Sequence, residues 1–207
     1  MTGDTGGTLS AIGRLRGPDP GGYEFRTPMI REIRLWPDPV LRRRAVPVDA
    51  VDASVRALVN DMFETMYEAP GVGLAAPQIG ALRRVLVLDT RPRQPEVQPV
   101  AMINPRIILS EGGPSVYREG CLSIPGEAEE VERPAIVTVE FLDVDGKVQR
   151  LRCEGLLATA AQHEMDHLDG KLYVDYLPML QRLSMRRRAK RRKQERAEAA
   201  TAAPNAL

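Results

Sequence analysis

The sequence predicts an α+β fold in which antiparallel sheets pack around a central helix, with a basic helix added at the C-terminus. Three observations indicate this class. Two segments have apolar residues at helical spacing, and several short segments have the apolar pattern of strands. The predicted strands and helices do not alternate along the chain as they do in proteins with a parallel sheet. With 207 residues, 43% of them hydrophobic and 28% charged, the chain is long enough for one compact domain with extensions.

The first 27 residues differ in composition from the rest of the chain. They are rich in Gly, Pro, Thr and Asp and show no apolar period, which predicts a disordered extension over residues 1–27. No apolar run follows the arginines of this segment, so a secretory signal is excluded, and the alternative of an organellar transit peptide is disfavoured by Asp4 and Asp19. Nowhere do eighteen apolar residues run together, and the sequence therefore predicts no membrane-spanning helix.

Residues 28–178 show the periods of regular secondary structure and are expected to form the catalytic domain. Spacings of three and four residues indicate helix, whereas alternation or short apolar runs indicate strand. Pro105 is expected to interrupt its strand because proline lacks a backbone donor. The predicted elements are a helix capped by Asp52 or Ser54 that runs to about Glu68, strands at Arg84–Leu88, Val100–Leu109, Ala135–Leu142 and Lys147–Cys153, and a central helix at Glu154–Leu168.

Residues 179–207 are expected to form a basic helix with a frayed end. Leu180, Leu183 and Met185 are its expected apolar anchors on the domain. Residues 181–207 carry nine Lys and Arg against two Glu, a net charge of +7, and residues 1–180 carry a net charge of −6. Seven of the eight residues from Arg186 to Lys193 are cations. This asymmetry predicts that the tail binds a polyanion, the alternative being a solvated charge run.

The two histidines of the chain, His163 and His167, lie four residues apart in the predicted central helix. Residues i and i+4 share a helix face, so two imidazoles can bind one metal ion, with Glu164 beside them as a base. Leu156 and Ala160 lie on the same face of this helix as His163, so the histidines are expected to face the core. The alternative is an exposed helix that matches the pattern by chance.

A two-histidine site needs a third protein ligand. In one class of metalloprotease a third histidine follows at the position that Tyr173 occupies here, so an HExxH metalloprotease is disfavoured. Cys121, after a glycine and shortly before a proline, is the better candidate, the alternative being a buried structural cysteine. Cys153 is interpreted as structural. Two cysteines are too few for a disulfide framework and suit a reducing cytosol.

Three motifs together resemble the peptide deformylase family. They are GVGLAAPQ at residues 71–78, EGCLS at residues 119–123 and HEMDH at residues 163–167, and the resemblance extends from about Met29 to Leu177. The family's fold is α+β, with antiparallel sheets around the helix that carries the histidines. The sequence departs from the family in its first 27 residues and in the acidic run Glu127–Glu130.

The resemblance implies an amide hydrolase with one divalent metal ion, most often Fe(II), with Ni, Co or Zn as substitutes. It also implies a role for each motif residue, and an apolar pocket for methionine is expected at Val72, Leu156 and Ala160. The implied roles are metal ligation by Cys121, His163 and His167, general base and acid for Glu164, oxyanion donors at Gln78 and the N–H of Leu122, and a hydrogen bond from Gly73 to the formyl group.

The implied reaction is removal of formate from the N-formyl-methionine that begins bacterial nascent chains, a co-translational step of N-terminal methionine processing. The basic tail resembles the helix by which some members dock on the ribosome, so ribosomal RNA is an expected partner and the cytoplasm the expected location. Two alternatives stay open at this point. They are a ribosome-associated binding protein with an inactive site and the metalloprotease.

Overall fold

The computed structural model describes residues 27–202, although not the side chains of residue 193 and residues 196–202. The predicted extension lies outside the described residues except for Thr27. Short 3-10 turns occupy Pro39–Arg42, Ala76–Ile79 and Tyr173–Tyr176. The strands are β1 (Gly73–Ala75), β2 (Val85–Leu88), β3 (Val100–Cys121), β4 (Ile124–Leu142) and β5 (Val148–Glu154), and the helices are α1 (Ala53–Glu68), α2 (Gly155–Leu168) and α3 (Met179–Ala202).

All five strands belong to one antiparallel sheet in the order β1-β2-β3-β4-β5. The predicted α+β class, with an antiparallel sheet against the histidine helix, is confirmed. The predicted strand limits were wrong for two strands. β3 continues to Cys121 instead of ending at Leu109, and β4 begins at Ile124 instead of at Ala135. Much of this long hairpin is exposed, so its residues lack the apolar alternation on which the prediction depended.

Pro105 does not end its strand. The pairing of β3 with β4 shifts between Ile103 and Arg106, and Asn104 takes a positive φ of 51°. Such a bulge accommodates a residue that cannot donate to the ladder. The Asn104 side chain accepts from the N–H of Val48 and donates to its carbonyl, each at 2.8 Å, which anchors the bulge to the preceding loop.

The core is built on both faces of β2. Leu86 and Leu88 pack in a cluster with α2, whereas Val85 and Val87 pack in a cluster with α1. Because alternate residues of a strand face opposite sides, β2 is apolar at every position and fully buried. Each buried Leu or Val side chain contributes about 2 kcal/mol, so α2 is fixed firmly against the sheet.

The two core helices begin and end at the predicted signals. The Asp52 side chain caps α1 by accepting from the N–H of Val55 at 2.9 Å. At the other helix, α2 ends at Asp169 as its C-cap, and Gly170 follows with a φ of 72°. The histidine motif therefore occupies the last two turns of a rigid helix.

Of the three predicted anchors of the C-terminal helix, only Met185 packs on the body. Leu180 and Leu183 are exposed, so they were wrong as anchors, whereas Met185 and Ala189 are buried in a cluster with Ile124 and Tyr173. The error arose because alanine and arginine were counted as helix formers rather than as a packing face. Within residues 27–202, no helix is both long and apolar enough to cross a membrane.

Candidate metal centre and active-site cleft

A cleft of about 960 Å³ brings the three sequence motifs together. Its lining includes Gly73 from the first motif, Cys121 and Leu122 from the second, and His163 and Glu164 from the third. The three residues expected to form the methionine pocket, Val72, Leu156 and Ala160, also line it. One cavity therefore holds an apolar wall and five of the candidate residues, whereas His167 and Gln78 are buried and are not among its lining residues.

The donor atoms of Cys121, His163 and His167 all lie within 4.8 Å of one another. The Cys121 sulfur lies 3.2 Å from Nε2 of His167. His163 and His167 come from adjacent turns of α2, and Cys121 is the last residue of β3. The structure thus brings together the three residues that the sequence proposed as metal ligands.

This group fits a divalent metal ion in its chemistry and in its burial. Both imidazoles are buried, His167 almost completely, and its Nδ1 has no hydrogen-bond partner among the described residues. Donors that share one tetrahedral ion lie about 3.5 Å apart when the bonds are about 2.1–2.3 Å long. One thiolate with two imidazoles is a donor set that suits Fe(II) or Zn.

A buried ionic network orients His163. Its Nδ1 lies 2.8 Å from Oε2 of Glu119, which leaves Nε2 to face the donor group. Arg133 donates to Glu119 at 3.0 Å and to Asp166 at 2.8 Å. Burial alone would raise the pKa of Glu119, but the hydrogen bonds from His163 and Arg133 outweigh it and hold that pKa below its usual value.

No role was predicted from the sequence for Glu119 or Arg133 of this network. A role for Glu119 could have been found from the sequence, because it is the first residue of the EGCLS motif. A role for Arg133 could not, because it lies on β4, fourteen residues from Glu119, in a segment that has no motif and no regular spacing of apolar residues. Tyr173, which stands at the protease position, instead stacks on His163 with ring centroids 6.0 Å apart.

Glu164 lies at the floor of the cleft, 5% exposed, and faces the backbone of Gly73. Its Oε2 is buried without a hydrogen-bond partner among the described residues. Burial raises the pKa of this carboxyl to about 7. Glu164 therefore lines the cleft and comes directly after His163 on α2.

Gln78 and Leu122, the candidate oxyanion donors, lie on the Cys121 side of the site. The Gln78 carbonyl oxygen accepts from the N–H of Ala75 at 2.7 Å, which orients the amide. Its Nε2 then lies 3.2 Å from the Ser123 hydroxyl and 3.6 Å from the Cys121 sulfur. Leu122 follows Cys121 in the tight turn that joins β3 to β4, so its N–H is carried beside the sulfur.

Gly73→Ala is expected to lower kcat by about 100-fold while the protein keeps its metal. A Cβ at this position would lie 2.6 Å from Oε1 of Glu164, so the carboxylate must move, and displacements of about 1 Å cost rates of that order. Steady-state kinetics and elemental analysis measure the two effects. Gly113→Ala is the control for backbone strain, since its φ is 69°, its Cβ meets nothing within 4 Å and it lies away from the cleft, so it should lower stability but leave kcat unchanged. An unchanged kcat in Gly73→Ala would contradict the close contact.

An HExxH helix whose histidines meet a cysteine at the floor of a cleft defines the class of mononuclear metal-dependent hydrolases. The sequence model of the family described as polypeptide deformylase matches residues 30–183. The chain belongs to this family, as the sequence motifs predicted.

Known relatives agree with this assignment. A peptide deformylase of Rhizobium meliloti (strain 1021) is 54% identical over 153 residues, covering 74% of this chain and 88% of the relative. The crystal structure of a Legionella pneumophila deformylase matches with a TM-score of 0.75 and 46% identity, covering 81% of this chain and 98% of that chain. An Ehrlichia chaffeensis deformylase in complex with actinonin matches with a TM-score of 0.76 and 36% identity, covering 79% and 98%. The prediction of a peptide deformylase, an amide hydrolase, is confirmed.

Proposed function

We propose that this protein removes the formyl group from N-formyl-methionine at the start of nascent polypeptides and releases formate. The observation that carries the proposal is the position of Glu164, which follows His163 of the Cys121–His163–His167 donor group directly along α2 and contacts the backbone of Gly73 in the same cleft. The apolar wall of the same cleft suits a methionine side chain. The inactive binding protein is disfavoured because the motif residues meet in the fold.

In the proposed mechanism each residue has one task. Cys121, His163 and His167 hold a divalent ion, which when bound supplies a Lewis acid and lowers the pKa of a water molecule. Glu164 takes a proton from the attacking water and returns it to the leaving amine. When the water adds to the formyl carbon, the formyl oxygen becomes an oxyanion that accepts hydrogen bonds from Gln78 Nε2 and the Leu122 N–H, and each such donor contributes about 3–4 kcal/mol.

The proposal is tested by formate release from formyl-Met-Ala-Ser with anaerobically purified protein. We expect formate and free Met-Ala-Ser in equal amounts. Unformylated Met-Ala-Ser, incubated in parallel, should stay intact, because the cleft is proposed to act on the formyl amide. Cleavage within the unformylated peptide would instead indicate a metalloprotease, and no reaction with either peptide would indicate a binding protein.

We propose Fe(II) as the native ion, in a cytoplasmic protein whose two free cysteines stay reduced. A thiolate beside an open coordination position exposes Fe(II) and sulfur to oxygen. Activity of the iron-loaded protein is therefore expected to decay in air, whereas Ni- or Co-loaded protein should keep its activity. Activity assays over time in air and under argon measure this, and an iron form that is stable in air would contradict it.

We propose ribosomal RNA as the partner of α3, through the cations that face solvent. Arg186, Arg187, Lys190 and Arg191 are exposed on this helix. Replacing all four by glutamine is expected to abolish co-sedimentation with ribosomes at low salt. With about four phosphate contacts, a tenfold rise in salt should weaken binding of the unchanged protein by about three orders of magnitude. Equal co-sedimentation of the two proteins would show that the tail is only a charged terminus.

A further inference from the structure

One face of α3 contacts the body, and this face is not purely apolar. Met185 and Ala189 are four residues apart, as are Arg188 and Arg192, and the second pair begins three residues after the first, which places all four on one stripe of the helix. Met185 and Ala189 are buried, and the side chains of Arg188 and Arg192 are about two-thirds covered, at 39% and 37% exposed. The two arginines therefore belong to the packed side of α3 and not to its solvent-facing cations.

Both arginines bind the same carboxylate. Arg188 donates to Glu127 through Nε at 2.9 Å and through Nη2 at 3.0 Å, and Nη1 of Arg192 lies 2.8 Å from Oε1. The Glu127 side chain is only 10% exposed. The hydrogen bond from Arg188 is the main reason that the pKa of Glu127 lies below its usual value. A bidentate pair of this kind fixes orientation as well as charge.

Arg192 also holds the backbone next to Glu127. Its Nη1 donates to the carbonyl of Pro125 at 3.0 Å, and its guanidinium lies over Gly126, 3.8 Å from the position of a Cβ there. Gly126 has a φ of 76° and lies where the pairing of β4 with β3 is irregular, between Ile124 and Ala128. Two arginines of α3 thus fix three successive residues of a single segment.

That segment is a wall of the active-site cleft. Pro125, Gly126, Glu127 and Ala128 all line the cavity that contains His163 and Glu164. They begin three residues after Leu122 along the chain, but none belongs to the metal-donor group. The matched part of the family sequence model ends at residue 183, so Arg188 and Arg192 lie beyond it.

We infer that Arg188 and Arg192 are positioning residues that hold the Pro125–Ala128 wall through Glu127 and so set how tightly the cleft binds the peptide that follows formyl-methionine. This inference rests on the proposed function. The basic helix then carries two separate sets of cations, an outer set for a polyanion and an inner pair for the cleft. Removing the inner pair would leave a largely buried carboxylate without its counter-charges, and the wall would shift.

The test is the double variant Arg188→Gln/Arg192→Gln in the full chain, with Arg187→Gln/Arg191→Gln as the matched control. The inner double variant should raise KM for formyl-Met-Ala-Ser about five- to tenfold, as expected for a lost positioning contact, with kcat within about twofold. The outer double variant should change neither. Metal content and the melting temperature are measured for both.

Glu127→Gln provides a second, milder disruption of the same contact. We expect it to raise KM in the same way, and combining it with the inner double variant should add little, because both remove one interaction. The inner variant Arg188→Lys/Arg192→Lys, which keeps the charges, should recover part of the lost affinity. Additive effects of Glu127→Gln and the inner variant would overturn the inference.

Binding of the product Met-Ala-Ser, measured by calorimetry, separates this inference from the proposed function. Weaker product binding in the inner variant supports the wall's role even if formyl-peptides prove not to be substrates. Unchanged KM and product affinity, or a fall in kcat that parallels loss of metal, would overturn it. An equal effect of the outer double variant would also overturn it, because the cause would then be net charge and not the contact with Glu127.

Discussion

Replacing Glu164 by alanine is expected to lower deformylation by at least about 100-fold while the protein keeps its metal, since positioned bases contribute about 10²–10⁴-fold. Glu164 lies in the cleft with one carboxylate oxygen unpartnered among the described residues, and it is not part of the group formed by Cys121, His163 and His167. Its loss should therefore remove the proton carrier without removing a ligand. Formate release and elemental analysis of the same preparation measure the two properties.

Two further variants make this expectation specific. Glu164→Gln keeps the size of the side chain and the contact with Gly73, so an equally inactive glutamine variant would assign the loss to the missing base and not to a cavity. Glu154→Ala removes an exposed carboxylate just before the same helix, where it provides no side-chain cap, and should keep full activity. Loss of metal from Glu164→Ala would show instead that Glu164 is a ligand.

The parts of this protein that the sequence predicted are those whose signals are local. The turn at Asp143–Gly146, the N-cap of α1 and the histidine pair on α2 each occupy a few consecutive residues. The donor group could also be proposed, because the motifs that contain Cys121, His163 and His167 are each contiguous. Only their meeting in one cleft needed the fold.

The parts that could not be predicted depend on contacts between distant segments. Arg133 has no motif around it, and its importance lies in pairing with Glu119 and Asp166 on two other elements. The inner face of α3 was missed because Arg188 looks like any other cation of the tail until Glu127, sixty-one residues earlier, is placed beside it. A charge run in the sequence does not show which cations already have a partner.

This division changes how the tail can be tested. Deleting residues from 186 onwards would remove Arg188, Ala189 and Arg192, together with their contacts to Glu127 and the core, as well as the exposed cations. Such a truncation cannot separate binding to RNA from binding of the peptide. Substituting the solvent-facing arginines and the inward-facing arginines in separate proteins distinguishes the two roles, because α3 holds them on opposite sides.

Cys121→Ser is expected to weaken metal binding by at least about 100-fold, whereas Cys153→Ala should leave it unchanged. Substitutions of residues that only support a ligand already cost about 10–100-fold, and Cys121 itself is proposed to be a ligand. Its sulfur lies 3.2 Å from Nε2 of His167, inside the donor group. A serine hydroxyl is a harder and less acidic donor than a thiol, so the two histidines would be left with a poor third partner.

Cys153 is a matched control because it is the other free cysteine and belongs neither to the donor group nor to the lining of the cleft. It is fully buried in the cluster between the sheet and α2, where burial raises the pKa of its thiol to about 11. Alanine keeps that site apolar and should cost only some stability, visible in a thermal melt. Metal retained after dialysis against a chelator, measured for both variants, decides the matter. Equal loss of metal from both variants would show that the substitutions act through folding. Full retention of metal by Cys121→Ser would show that Cys121 is not a ligand.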